Sequence, residues 1–322
     1  MEERYRMKFY LRYCCAMCFA LISFLLAPPL SAQAQTREAY VAQSADKTTL
    51  TFYYDALRAT RTGKSWGIEE TKKEGDYTFP AWAGTWDVTD STTTRVVFDV
   101  SFRNFRPTTT AEWFCNYREL KQVEGLEYLN TSEVKDMSYM FFGCFGLTSL
   151  DLSHFNIQNV TDMGAMFSGC WRLTSLDVSH FDTQNVTSMG GMFSACSGLT
   201  SLDVSHFNTQ KVTDMHYMFS GCSALTTIRC NTAWQCPESV NMFAGCTQLK
   251  GAVTYDKSKT DVTMANPETG YFTAKSTKVE SVRFGADGAQ QIYTLQGKRV
   301  RGEWKHLPAG VYVVNGKKTV KP

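Results

Sequence analysis

Between residues 134 and 250 the apolar positions form a recurring figure with two alternating spacings. Met163, Met166, Phe167 and Cys170 stand at i, i+3, i+4 and i+7, the spacing of one face of a short helix. Leu173-x-x-Leu176-x-Val178 then changes to the spacing of a strand, and the unit closes on Phe181. Thr161 stands where a helix N-cap belongs, and Asp162 suits the positive end of a helix dipole. Each unit therefore predicts one short amphipathic helix followed by one strand.

The figure returns every 26 residues: Cys144, Cys170, Cys196 and Cys222 keep that step, and Cys246 follows after 24. Met140, Met166, Met192 and Met218 do the same, as do Phe141, Phe167, Phe193 and Phe219. A fixed period of this size means stacked units, each burying its apolar face only against its neighbours. The strand spacing is that of a leucine-rich repeat, with Phe181 near the position where Asn or Cys usually stands. The expected fold class is an α/β solenoid, a leucine-rich-repeat-like right-handed stack of ~26-residue helix–strand rungs. Five or six rungs at a strand spacing of ~4.8 Å make a stack roughly 25 to 30 Å long. Residues 111–133 echo the unit at an offset of 27 through Trp113, Phe114, Tyr117, Leu120 and Val123. After Ile228 the pattern frays toward Gly270-Tyr271-Phe272, so both flanks read as caps.

Outside the repeats three further segments stand apart. Arg4, Arg6, Lys8 and Arg12 precede an apolar run from Cys14 to Leu26, and Ala32-Gln33-Ala34 follows as a small-x-small site. This is the pattern of a secretory signal peptide, residues 1–34, cleaved after Ala34, and the run is too short for a membrane span of roughly 20 residues. Residues 35–110 read as a β-rich N-terminal lead-in or cap containing Trp66, Trp82 and Trp86. Residues 111–274 hold the repeats with their caps. Residues 275–322 alternate apolar and polar positions around Gly turns, from Ile292 to Val300 and from Leu307 to Lys317, and read as a small β C-terminal module.

Composition narrows the function classes only a little. With 43% hydrophobic and 20% charged residues, the 322-residue chain is an ordinary folded protein. Its net charge of +2 supplies no global basic field for nucleic acid. That value conceals a gradient: residues 35–274 carry 19 basic and 26 acidic side chains, whereas the segment from Lys275 onward carries ten basic and three acidic. An acidic body and a basic tail are therefore expected.

Three columns of residues are candidates for chemistry. Cys144, Cys170, Cys196, Cys222 and Cys246 fall among Met, Phe and Leu, where a thiol acts as a small hydrophobe; disulfide pairing and metal binding are the alternatives. Cys230 and Cys236 break the period and flank Trp234, which makes them the candidate disulfide in an exported protein. The sole C-x-x-C, Cys15 to Cys18, departs with the signal peptide. His154, His180 and His206 repeat at one position, but a ladder spreads ligands along an axis where a metal needs them converging on one point. Asp151, Asp177 and Asp203 repeat on the strand between inward-facing residues, with Ser179 and Ser205 following the last two. This Asp/His/Ser surface is the expected ligand face, because repeat proteins present extended surfaces; a solvated stripe of Asp bonded to neighbouring Ser is the alternative. No metal and no cofactor are expected.

Enzymatic signatures are missing from the sequence. There is no H-E-x-x-H and no G-x-S-x-G, and identical His, Cys and Asp on every unit do not make the unique arrangement an active site needs. No catalysis is expected.

The unit N-V-T-x-M-x-x-M-F-x-x-C-x-x-L-T-S-L-D-V-S-H-F resembles the BspA-like surface proteins, the leucine-rich-repeat-like family also called DUF285. Leu50-Thr-Phe-Tyr-Tyr-Asp55, Val96-Val-Phe-Asp99 and Gly125-Leu-Glu-Tyr-Leu-Asn-Thr131 look like that family's lead-in. The tail, with G-K-R-V and L-P-A-G-V-Y-V-V-N-G-K, is similar to the C-terminal sorting modules of Bacteroidetes secretion cargo, though shorter. The resemblance implies an exported, adhesin-like binding protein, secreted or held on the outer membrane of a Gram-negative bacterium. Its implied partners are host extracellular-matrix or mucosal proteins, glycans or other bacterial cells, with no nucleic acid and no transmembrane span. A structural component of the envelope or biofilm matrix, without a discrete ligand site, is the other reading.

Overall fold

The computed structural model describes residues 36–274, 292–294, 310–314 and 317–321. The expected signal peptide and most of the tail, including the greater part of the sorting-like motifs, lie outside the described residues.

No α-helix forms among the described residues. The Met-x-x-Met-Phe-x-x-Cys segments fold instead as pairs of four-residue turns. In Met163–Cys170 the amide of Met166 donates to the Met163 carbonyl (3.3 Å) and that of Cys170 to the Phe167 carbonyl (3.1 Å). The third residues of the two turns, Ala165 and Gly169, have φ of +50° and +78°, the left-handed conformation that a type II turn requires there. The intervening amides leave the unit altogether: Met163, Ala165, Phe167 and Gly169 donate to Ser188, Gly190, Met192 and Ser194 at 2.8–3.1 Å. A helix returns each amide to its own carbonyl four residues back; here alternate amides serve the neighbouring unit. The same doublet recurs from Thr110–Tyr117 to Ser239–Cys246, with positive φ at its third and seventh residues every time.

The expected roles at the start of the unit change with it. Asp162 accepts the amide of Gly164 at 2.7 Å, closing a local turn and facing no helix dipole. Thr161 sends its hydroxyl to the Lys135 carbonyl of the preceding unit (3.1 Å) and caps no helix.

The strands are short. In the N-terminal region β1 (Glu38–Gln43) pairs antiparallel with β2 (Thr49–Asp55) and with β3 (Ser65–Gly67), while β4 (Thr71–Glu74) and β5 (Tyr77–Pro80) form a separate hairpin. β6 (Arg95–Phe98) joins β2 in parallel, and β7 (Gln122–Glu124) joins β6, giving the order β3-β1-β2-β6-β7. Within the repeats only β8 (Ser201–Asp203) and β9 (Thr227–Arg229) are strands, extended by β10 (Phe272–Thr273). In the tail β11 (Ile292–Thr294), β12 (Gly310–Val314) and β13 (Lys317–Lys321) pair antiparallel.

The α/β solenoid of helix–strand rungs is thus overturned twice, by the absence of α-helices among the described residues and by sheets that do not run through the repeats as one strand face. The chain is β-rich, made of turns and short strands. Single parallel bridges link successive units at Asp136–Asp162, Asp162–Ser188, Ser188–Asp214 and Asp214–Glu238.

The interior is a set of columns. Phe114, Phe141, Phe167, Phe193, Phe219 and Phe243 follow one another with ring centroids 5.2–5.9 Å apart, and from Phe141 onward their planes agree within 9°. Each fully buried Phe contributes on the order of 1.5–3 kcal/mol through removal of its ring from water. Beside them the thiols of Cys144, Cys170, Cys196, Cys222 and Cys246 donate to the carbonyls of Phe114, Phe141, Phe167, Phe193 and Phe219 at 2.9–3.2 Å. They are free and buried. Burial pushes Cys170 and Cys246 up to about 12.

Cys230 and Cys236, the candidate disulfide, are also free thiols. Cys230 is fully buried with its sulfur near the Thr232 carbonyl (3.4 Å), whereas the half-buried Cys236 donates to the Glu238 carbonyl (3.2 Å). Each sulfur is thus engaged with its own local backbone.

The lead-in and the repeats share one core. Phe52 on β2 stacks on Phe98 (4.6 Å) and Trp113 (5.3 Å) and meets Phe114 edge-on (5.7 Å), so it heads the phenylalanine column. Trp82 adds a hydrogen bond from its indole to the Trp113 carbonyl (3.1 Å).

Candidate functional site

The Asp/His/Ser residues singled out in the sequence lie at the same position of successive units, on the outside of the stacked turns. Asp151 and Asp177 are exposed and Asp203 is half-buried. Each carboxylate accepts the amide of the residue two further on, Ser153, Ser179 or Ser205, at 2.9–3.1 Å. The hydroxyls of Ser179 and Ser205 add bonds to Asp177 and Asp203 at 2.7 and 2.6 Å. These are local turns that hold a short polar side chain against its own backbone. They also hold the carboxyls below the usual range, through the Ser153 amide at Asp151 and the Ser179 hydroxyl at Asp177. Asp151 and Asp177 are therefore fixed, ionised carboxylates, and Asp203 is held in the same local turn.

His154, His180 and His206 are exposed. His180 packs edge-on against Phe181 (4.9 Å), and its Nε2 donates to the Leu152 carbonyl of the unit before (3.1 Å). Among the described residues no three His, Cys, Asp or Glu side chains are gathered as metal ligands.

His154 belongs to something the sequence did not suggest. It lines a cavity of about 460 Å³ together with Arg103, Glu127, Tyr128, Asn130, Ser132 and Asn156. Arg103 comes from the 3-10 turn Val100–Asn104 and lies over the Tyr128 ring at 5.2 Å; Glu127 and Tyr128 come from the 3-10 turn Leu126–Tyr128. The buried Thr131 ties the floor together, donating to the Asn156 carbonyl (2.9 Å) and accepting the Asn156 amide (2.8 Å). Tyr128 and Asn130 stand 26 residues before His154 and Asn156, so the cavity continues the histidine row one unit back. The available signal was that register; it was hidden because Arg103 comes from outside the repeat.

A second acidic row runs along the bridges. Asp162 is half-buried and its carboxyl is raised, chiefly by burial and further by Asp136 and Asp214. Glu112, at the head of the row, is pushed up to about 7, first by burial and then by the charge of Asp136. At the far end His216 bonds Asp214 (2.8 Å) and approaches Glu238 (3.5 Å). On another side Trp171, half exposed, lies on Phe145 (4.4 Å), which in turn carries Arg118 at 5.3 Å.

Among the described residues no helix is long and apolar enough to cross a membrane. Residues 106–176 and 146–258 match the family model described as "Mycoplasma protein of unknown function, DUF285". No curated protein matches the chain. Among solved structures, a leucine-rich repeat protein of T. pallidum is 17% identical, covering 65% of this chain and 87% of its own, with a TM-score of 0.35. A leucine-rich repeat protein from Bacteroides ovatus ATCC 8483 is 14% identical over 66% of this chain and 69% of its own, with a TM-score of 0.24. Such scores are too low to transfer an arrangement, and the relationship rests on the repeat sequence itself. In that repeat region the chain matches the DUF285 family model, which supports its likeness to BspA-like repeat proteins.

Proposed function

We propose that this is an exported, adhesin-like binding protein, displayed at the cell surface or released, which presents its repeat face to host matrix proteins, glycans or other cells. The observation that carries the reading is the row of Asp151, Asp177 and Asp203, each fixed by its own turn on the outside of the repeats while the core is held by other residues. Repetition places the same charged and hydrogen-bonding groups at regular intervals, which suits an extended partner better than a small substrate. In this reading the chain binds and does not catalyse.

The test is binding of the processed chain, residues 35–322, to a panel of matrix proteins, mucosal glycoproteins and whole cells. Saturable binding is expected, with loss of at least tenfold in affinity in the triple variant Asp177→Ala, His180→Ala, Asp203→Ala at an unchanged circular-dichroism spectrum. Self-association without saturable binding to any member of the panel would instead favour a structural envelope component.

A further inference from the structure

We infer that the cavity at the head of the histidine row is a subsite for an acidic saccharide residue, one carrying both an anionic group and free hydroxyls. The assignment rests on the reading of the chain as a binding protein and names what one part of it takes.

Donors predominate on the cavity wall. Arg103 is held by its stacking over Tyr128 and has no ion pair among the described residues, so its guanidinium is ordered yet uncompensated. Such a fork is suited to a carboxylate or sulfate. The Oδ1 atoms of Asn130 and Asn156 are already occupied by the amides of Ser132 (3.0 Å) and Gln158 (2.9 Å). That leaves each Asn its Nδ2 group to donate, since an amide side chain carries one acceptor oxygen and one donor nitrogen. A single acceptor of full charge, Glu127, stands on the same wall.

A bare inorganic anion has no use for Glu127, which would repel it. A neutral sugar has no use for an unpaired guanidinium. A sugar acid satisfies both, its anion on Arg103 and a hydroxyl donating to Glu127. At about 460 Å³ the cavity falls within the range of small-molecule sites. The Thr131–Asn156 bonds fix its floor before anything binds, so little ordering remains to oppose association.

The experiment is calorimetric titration of the processed chain with sialyllactose against lactose, galacturonic acid against galactose, and a sulfated lactosamine against lactosamine, with sodium sulfate as a further arm. At least one acidic member should bind tenfold or more tightly than its neutral counterpart, and the arm that does so identifies carboxylate or sulfate as the source of charge. Arg103→Ala should weaken that binding by about ten- to a hundredfold, as expected for a charged hydrogen bond, and Arg103→Lys should restore part of it. The proposal is overturned by equal affinity for neutral and acidic sugars, by no sugar binding, by equal binding of sulfate alone, or by an unaffected Arg103→Ala. Running the native chain on the matrix panel separates the two readings: a native chain that binds the panel but no sugar removes the subsite and leaves the general function standing.

Discussion

At the scale of single residues the clearest case is the column of cysteines. Their recurrence among Met, Phe and Leu was enough to place them inside as small hydrophobes, but not to show that each thiol donates to a phenylalanine carbonyl of the unit before. That bond supplies a hydrogen where a buried acceptor has room for a second partner, and a methyl group cannot replace it. Burial also disfavours the thiolate, which is the reactive form. In the native protein iodoacetamide should therefore modify Cys236, which is only half-buried, well before the five columnar thiols; mass spectrometry of a time course reads the order. Rapid labelling of Cys196 in the folded state would contradict it.

Glu112 gives a second expectation at this scale. Its folded carboxyl is raised to about 7 from an ordinary 4.5, by burial and then by Asp136. Between those values the unfolded chain has released its proton while the folded chain keeps it, so stability contributed by this group falls as pH rises through the window. The melting temperature should decline from pH 5 to pH 8 more steeply in the native protein than in Glu112→Gln. Identical profiles would show that Glu112 does not titrate in this way. Nothing in the sequence marked Glu112, because its environment is made by Asp136 of the next unit.

At the scale of elements, the sequence was legible in period and misleading in kind. Two consecutive four-residue turns bury their first and fourth residues, which writes the pattern in-out-out-in twice over. Positions i, i+3, i+4 and i+7 on a helix give the same eight letters, so hydrophobicity alone cannot separate the two. The discriminating signal was the residue type at the seventh position: Gly143, Gly169, Gly221 and Gly245 all have positive φ there. A glycine inside a helix costs about 1 kcal/mol relative to alanine, whereas in a left-handed turn position it avoids a penalty of roughly 1–2 kcal/mol. Asn116 and Ala195 are the exceptions, at φ +56° and +55°. Ala195→Gly should accordingly raise the melting temperature, by the equivalent of a few tenths to about 1 kcal/mol once the extra freedom of the unfolded chain is set against the relieved strain. A helix at this place would respond in the opposite direction, so thermal denaturation of one variant decides between them. Strand spacing was a better guide, yet only Ser201–Asp203 and Thr227–Arg229 became strands within the repeats.

For the molecule as a whole, the lead-in proves inseparable from the repeats it precedes. The joining of the two regions depends on Phe52 meeting Phe98, Trp113 and Phe114, contacts between distant segments that no local pattern records. Phe52→Ala should cost about 3–5 kcal/mol and shift one cooperative transition for the repeats and the lead-in together. Two separate transitions by calorimetry would show that the lead-in unfolds on its own. The candidate ligand face was half legible for the same reason: the repeated Asp and His could be listed from their period, while Arg103 enters the cavity from outside it.

The alternation of amides in the turn pair also dictates where the chain can change length. Within those eight residues, one added residue would exchange every amide serving the neighbouring unit with one serving its own turn, and the error would run through the rest of the pair. The arm that follows has no such parity to keep. The chain's own spacings agree: Tyr117 to Cys144 is 27 residues, Cys144 to Cys170 is 26 and Cys222 to Cys246 is 24, while Thr110–Tyr117, Met137–Cys144, Met215–Cys222 and Ser239–Cys246 all keep eight. Insertions and deletions are thus confined to the connecting arms, which also carry the Asp, His and Asn side chains of the candidate ligand face. The repeat can diversify what it displays by altering loop length, with the frame of the turns left in phase.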